Sequence, residues 1–133
     1  MLFLDMNRME MKERLIDFAV RVYRLNSELK RRGAVEYASQ VIRSSSSVGA
    51  NYHEAVHGRS GADFFNKIKV AEGEAAETHF WLSVISRADI IKAERMVDLI
   101  DEASQILAIM HSTADSYERR LKATTKRKGN DSK

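Results

Sequence analysis

The 133-residue chain has no cysteine and no proline. Without cysteine there are no disulfides, no thiolate zinc sites and no cysteine nucleophile. The composition suits a reducing compartment, and the cytoplasm is the expected location. Without proline, no residue is forced to break a helix by losing its amide donor and clashing with the preceding turn. Glycine is sparse, at six residues, so punctuation falls at few points. No apolar run approaches the roughly 20 residues that span a bilayer. The opening Met1-Leu2-Phe3-Leu4-Asp5-Met6 lacks the basic region and apolar length of a signal peptide. No membrane partner is expected, and no segment shows the period-two alternation of a strand.

The net charge of +3 is unevenly spread. From Tyr117 onward, Arg119, Arg120, Lys122, Lys126, Arg127, Lys128 and Lys133 face only Glu118 and Asp131, a segment of +5 that leaves residues 1–116 at −2. Basicity is therefore a property of one end. Such a segment holds phosphates by releasing their counterions, or serves simply as a solubilising end.

Apolar spacing predicts four helices. After a loose leader over residues 1 to about 8, Met11, Leu15, Phe18, Val22, Leu25 and Leu29 are spaced four and three apart over Arg8–Arg32, the seam of a packed helix. Lys30-Arg31-Arg32 followed by Gly33 is a helix stop. A second helix, Val35–His57, is marked by Tyr37, Val41, Val48 and Tyr52. A third, Gly61–Ser86, follows the Gly58-Arg59-Ser60-Gly61 turn and the Ser60-x-x-Asp63 capping signature. Phe64, Ile68, Ala71, Ala75, Thr78, Leu82 and Ile85 keep its rhythm. The fourth, Lys92–Lys122, carries the seam Met96, Ile100, Ala103, Leu107, Met110, Ala114, Tyr117 and Leu121. Its further apolar set, Val97, Leu99, Ile106 and Ile109, is read as a subunit interface. The expected architecture is all-α: an antiparallel up-down four-helix bundle over residues 1–122, roughly 35 Å tall, with a basic, disordered tail over 123–133.

The second helix is the unusual one. Ser44-Ser45-Ser46-Ser47 sits at its centre although serine competes for backbone hydrogen bonds. Gly49 follows at a cost of about 1 kcal/mol against alanine. Close approach of neighbouring helices explains both, and Gly73 is read as a similar crossing in the third helix.

Across these two helices runs Arg43-Ser44-x2-Ser47-Val48-Gly49-Ala50-Asn51-Tyr52-x-Glu54-Ala55, then Ser60, Asp63-Phe64-x2-Lys67, Ala71-x2-Glu74-Ala75-x-Glu77-Thr78 and Trp81-Leu82. This pattern resembles the bacterial four-helix-bundle proteins encoded in intervening sequences of 23S rRNA genes. That family includes the accessory variability protein of diversity-generating retroelements. The resemblance covers residues 40 to 82. It implies a bundle assembling into a homo-oligomeric ring, a pentamer in known relatives, with a non-enzymatic role. In the retroelement branch it implies a nucleic-acid-binding adaptor. Relatives in that branch tend to carry a basic ring surface, whereas this body is −2.

Asn51, Glu54, Lys67, Glu74 and Glu77 lie beside seam positions, where polar groups need partners. They are expected to form an inter-helix network, with Lys67 paired to Glu54 or Glu74 and Asn51 bridging helices. His53-Glu54-x-x-His57 matches a zinc-hydrolase pattern, two imidazoles on one helix face with a glutamate base. Asp63 follows at the third-ligand distance of one subclass, but the glycine expected before it is Ser60, and such enzymes set this helix against a strand. Relatives commonly have another residue at the position of His53. The histidines are read as exposed, weak metal candidates only. Gly58-x-x-Gly61 is too short for a phosphate loop, and no cofactor is expected.

The expected function is that of a structural or adaptor protein that binds RNA or DNA. Its phosphate contacts are Arg119, Arg120, Lys122, Lys126, Arg127 and Lys128, with Arg43 and Arg59 as helpers. The alternatives are a protein-interaction scaffold without nucleic-acid affinity, and a small zinc hydrolase using His53, Glu54 and His57.

Overall fold

A computed structural model describes residues 7–131. It contains five helices and no strand among those residues: α1 (Arg8–Tyr23), α2 (Asn26–Arg31), α3 (Val35–Val56), α4 (Gly61–Arg87) and α5 (Ala93–Asp131). Apart from Arg8, the leader read over residues 1 to about 8 lies outside any helix or outside the described residues; Asn7 caps α1, accepting from the Glu10 amide at 2.8 Å. The first predicted helix is broken: the Leu25 amide bonds three residues back to Val22 rather than four. This tightening turns α2 onto α3 while Leu29 stays fully buried.

Both inter-helix stops with positive φ follow one hydrogen-bond scheme. At Gly33 (φ 79°) the Ala34 amide reaches the Leu29 carbonyl at 2.8 Å and the Gly33 amide reaches that of Lys30 at 3.1 Å. At Asp89 (φ 55°) the Ile90 amide bonds Ile85 and the Asp89 amide bonds Ser86, each at 3.1 Å. These paired bonds satisfy carbonyls that a helix end would otherwise orphan. Ser60 caps α4 as its sequence predicts, accepting from the Asp63 amide at 3.1 Å.

The predicted seams form the core. Met11, Leu15, Phe18 and Val22 of α1, Val41 and Val48 of α3, and Ile68, Leu82 and Ile85 of α4 are buried together. Between α3 and α4 the contact is made by small polar residues. Thr78 donates to Ser44 Oγ at 2.8 Å, and Ser44 donates to the Val41 carbonyl. Each buried hydroxyl is thereby satisfied without a long side chain holding the helices apart. Gly49 serves the other neighbour: a β-carbon there would lie 3.4 Å from that of Leu15. Gly73 has no such role, since nothing lies within 4 Å of its missing side chain.

The second apolar stripe of α5 is also internal. Leu99, Ile106 and Ile109 are buried within the chain because α5 packs against α1 as well as α4. Only Val97, 60% exposed, faces outward as an interface residue would. A half-buried ion pair joins the two: Arg14, 18% exposed, grips Glu102 through Nε at 2.8 Å and a terminal nitrogen at 2.5 Å, and reaches Gln105 at 2.9 Å. These bonds to Glu102 raise the Arg14 pKa above its ordinary value.

Residues 123–131, expected to form a disordered tail, continue α5 instead. Lysine, arginine and alanine are good helix formers, and Thr124 and Thr125 return their hydroxyls to the Arg120 and Leu121 carbonyls at 3.0 Å.

Candidate nucleic-acid interface

Ala114 is the last buried residue of α5 among the described residues. Beyond it the helix leaves the body with its charges exposed. A rise of 100° per residue puts Arg119, Lys122 and Lys126 on one side, Arg120 and Arg127 on a second, and Lys128 on a third. Arg119 is ion-paired to Asp115, and Lys122 lies 3.6 Å from Glu118. The Arg119 guanidinium holds the Asp115 carboxyl below its ordinary value.

The turn between α3 and α4 sits at the same end. A cavity of about 270 Å³ is lined by Arg8 of α1, Gly58 and Ser60 of the turn, Gly61 and Phe64 of α4, and Tyr117 and Arg120 of α5. Arg59 stands exposed between two of these lining residues. Arg43 is not part of this group. It lies thirteen residues before the end of α3, roughly 20 Å along the helix axis, and is engaged with Glu77 and Gln40, each at 3.3 Å.

The five polar residues expected to form one network are divided. Lys67 and Glu54 pair at 2.6 Å, but their side chains are 44% and 58% exposed, where solvent screens the attraction. The Lys67 ammonium holds the Glu54 carboxyl below its ordinary value. Asn51 bridges nothing: it donates within α3 to the Ser47 carbonyl at 2.8 Å and to the Ser47 hydroxyl at 3.0 Å. Glu77 accepts from the Trp81 indole at 3.1 Å and from Arg43. One Glu74 carboxylate oxygen is buried without a hydrogen-bond partner. Because α3 and α4 meet through serine, threonine and alanine, the long polar side chains are displaced to the edges of the contact, where all but Glu74 find a partner.

His53 and His57 are exposed with ring centroids 4.8 Å apart. Lys12 donates to His57 Nε2 at 3.0 Å, which uses that nitrogen as an acceptor. Glu54, the base of the sequence pattern, is held by Lys67. Among the described residues no group of three or more His, Cys, Asp or Glu side chains is placed to hold a metal ion.

The family profile described as 23S rRNA-intervening sequence protein matches residues 7–112. The chain belongs to this family. The chain is also similar to the solved structure of a protein of unknown function from the S23 ribosomal protein family of Bacteroides thetaiotaomicron. The two share 32% identity and a TM-score of 0.77 over 83% of this chain and 99% of the other. No curated protein matches. The 23S rRNA-intervening sequence profile takes in Arg43, Arg59, the five polar residues and His53–His57, but ends before the basic stretch of α5.

Two residues of the basic end escape sequence reasoning. Arg8 reads as an ordinary first-turn arginine and Tyr117 as a seam residue; only the crossing of α1, α4 and α5 brings them together. Their one legible signal is periodicity, which puts Phe64 and Tyr117 on facing seams.

Proposed function

We propose that this chain is a non-enzymatic, cytoplasmic four-helix-bundle adaptor that assembles with copies of itself and binds RNA or DNA at its basic end. The observation that carries the reading is the exposed helical extension of α5, which holds Arg119, Arg120, Lys122, Lys126, Arg127 and Lys128 beyond its last buried described residue, at the end of the body that also carries the turn with Arg59. A helix presents such charges at fixed spacing to a phosphate backbone, which a coil does not. The up-down reading, with α1 and α2 as one rod, is supported by cross-helix partners that descend along one helix as they climb the other. Examples are Arg14–Glu102 with Arg95–Glu28, and Glu72–His111 with Phe65–Tyr117. A five-fold ring is the assembly expected from the resemblance above. No helix among the described residues is long and apolar enough to cross a membrane.

The test is fluorescence anisotropy of labelled single- and double-stranded RNA and DNA on the full chain, across a salt series. Binding that persists near physiological salt, with a slope implying several phosphates, and that weakens when residues 123–133 are removed, is expected. Binding only at low salt would leave the scaffold reading. That alternative has its own support in an exposed apolar stripe on α1, formed by Met9, Ile16, Val20 and Tyr23.

A further inference from the structure

The cavity at the basic end contains more than exposed charge. Its two guanidiniums come from opposite ends of the chain, and neither has a carboxylate within ion-pair distance among the described residues. The Arg8 guanidinium carbon lies 5.3 Å from the centre of the Phe64 ring, and that of Arg120 lies 6.0 Å from the Tyr117 ring. Stacking on an aromatic face orients a guanidinium while leaving its five N–H donors unspent. The rings are themselves braced: Phe64 and Tyr117 lie 5.6 Å apart, and Phe65 stacks on Tyr117 at 5.8 Å. Only glycine at position 61 leaves space for the Tyr117 hydroxyl, since a β-carbon there would overlap it. That hydroxyl makes no hydrogen bond to a described residue. Of the nearby carboxylates, Glu118 is turned to Lys122 at 3.6 Å, and neither it nor Asp63 lines the cavity.

Two forked cationic donors and one free hydroxyl around a volume of about 270 Å³ match a tetrahedral oxyanion better than a planar base or an apolar group. We propose that this cavity is a phosphate-binding pocket, held by Arg8, Arg120 and Tyr117, that seats one phosphate of the strand whose neighbouring phosphates contact α5. The inference rests on the nucleic-acid reading above and adds to it a fixed anchor point. The extension of α5 supplies charge that slides along any backbone, whereas the pocket sets where the strand crosses the end of the body.

The probe is inorganic phosphate. Backbone amide shifts of Gly61 and Phe64 in the 15N-labelled full chain are followed on titration, with chloride at equal ionic strength as the reference. Saturable shifts are expected, abolished in Arg8→Gln/Arg120→Gln and retained in Lys126→Gln/Arg127→Gln. All four side chains are exposed, and matching thermal melts verify that the variants fold. Shifts that never saturate, or that survive loss of both arginines, overturn the pocket. A second arm measures the salt slope of RNA binding. Arg8→Gln is expected to lower the slope by about 1, as one phosphate contact is lost. An unchanged slope alongside saturable phosphate binding overturns the strand assignment. No RNA or DNA binding by the unsubstituted chain alongside saturable phosphate binding overturns the nucleic-acid reading, and identifies free phosphate as the source of the bound group.

Discussion

The centre of α3 and the last turns of α5 are both polar helical stretches without proline, but their helices stand on different terms. In α3, Ser44 and Ser45 are buried, and their poor helix propensity is overridden by contacts with α4 and α1. In α5 past Tyr117, which still packs on Phe64 and Phe65, the described residues are exposed, and the helix rests on residue propensity and local pairs such as Lys122–Glu118. One region is helical because of what surrounds it, the other because of what composes it. Small residues thus serve packing in the first, and charged residues serve a solvated surface in the second.

The largest effect that would break this contrast lies at Ser44. Ser44→Leu forces a branched side chain between α3 and α4 and removes the acceptor for Thr78. A loss of about 3 kcal/mol is expected in urea unfolding. A cost near zero would mean that the helices do not approach as closely as the Thr78–Ser44 bond implies.

Two glycines sharpen it. Gly73→Ala, with open space around it, is expected to stabilise by about 1 kcal/mol through helix propensity alone. Gly49→Ala gains the same propensity, but its β-carbon meets that of Leu15 at 3.4 Å, the near limit of ordinary contact, so its net change should be smaller. Equal gains at both sites would remove the close crossing of α1 and α3.

Acid acts on the body through α2. Arg95 grips Glu28, which is 15% exposed, at 2.7 and 2.8 Å, and Arg32 adds a contact at 3.3 Å. The Arg95 hydrogen bonds are the main cause holding the Glu28 carboxyl down to about 2, from an ordinary 4.5. A carboxyl with a lowered pKa stabilises the fold fully above its ordinary value, and that contribution is lost as pH falls through the folded value. Thermal melts should therefore show stability falling between pH 4.5 and 2, and the fall should be shallower in Glu28→Gln. An identical profile in the variant would remove Glu28 as a cause.

The smallest effect on stability is expected at Lys126→Pro. It should lower helical circular dichroism while leaving the unfolding midpoint within about 0.5 kcal/mol, as for an exposed site outside the cooperative core. A large loss of stability would mean that the extension packs against something.

Much of the fold was legible. The seams of the first three predicted helices are the residues that pack, and so is that of the fourth apart from Leu121, which is 45% exposed; the Ser60 cap and Gly33 stop stand where expected, and α3 and α4 have their predicted bounds to within a residue. Asp89 was not read as a stop because aspartate rarely takes a left-handed conformation, and the paired bonds to Ile85 and Ser86 appear only once the chain has turned. The site was less legible. Of the two partners expected for Lys67, Glu54 and Glu74, it pairs with Glu54, but the single network is not formed, since neighbouring positions along a helix do not say which edge of a contact each long side chain will reach.

By itself the sequence determined the helices and their buried faces, because a 3.6-residue period and hydrophobicity are local properties. It also placed the positive charge at one end. Only the tertiary structure decided that the second stripe of α5 meets α1, that Gly49 and not Gly73 marks a close crossing, and that Arg8 and Arg120 line one cavity. Those outcomes depend on which helices become neighbours, and residues more than a hundred positions apart carry no mark of that until the core has packed.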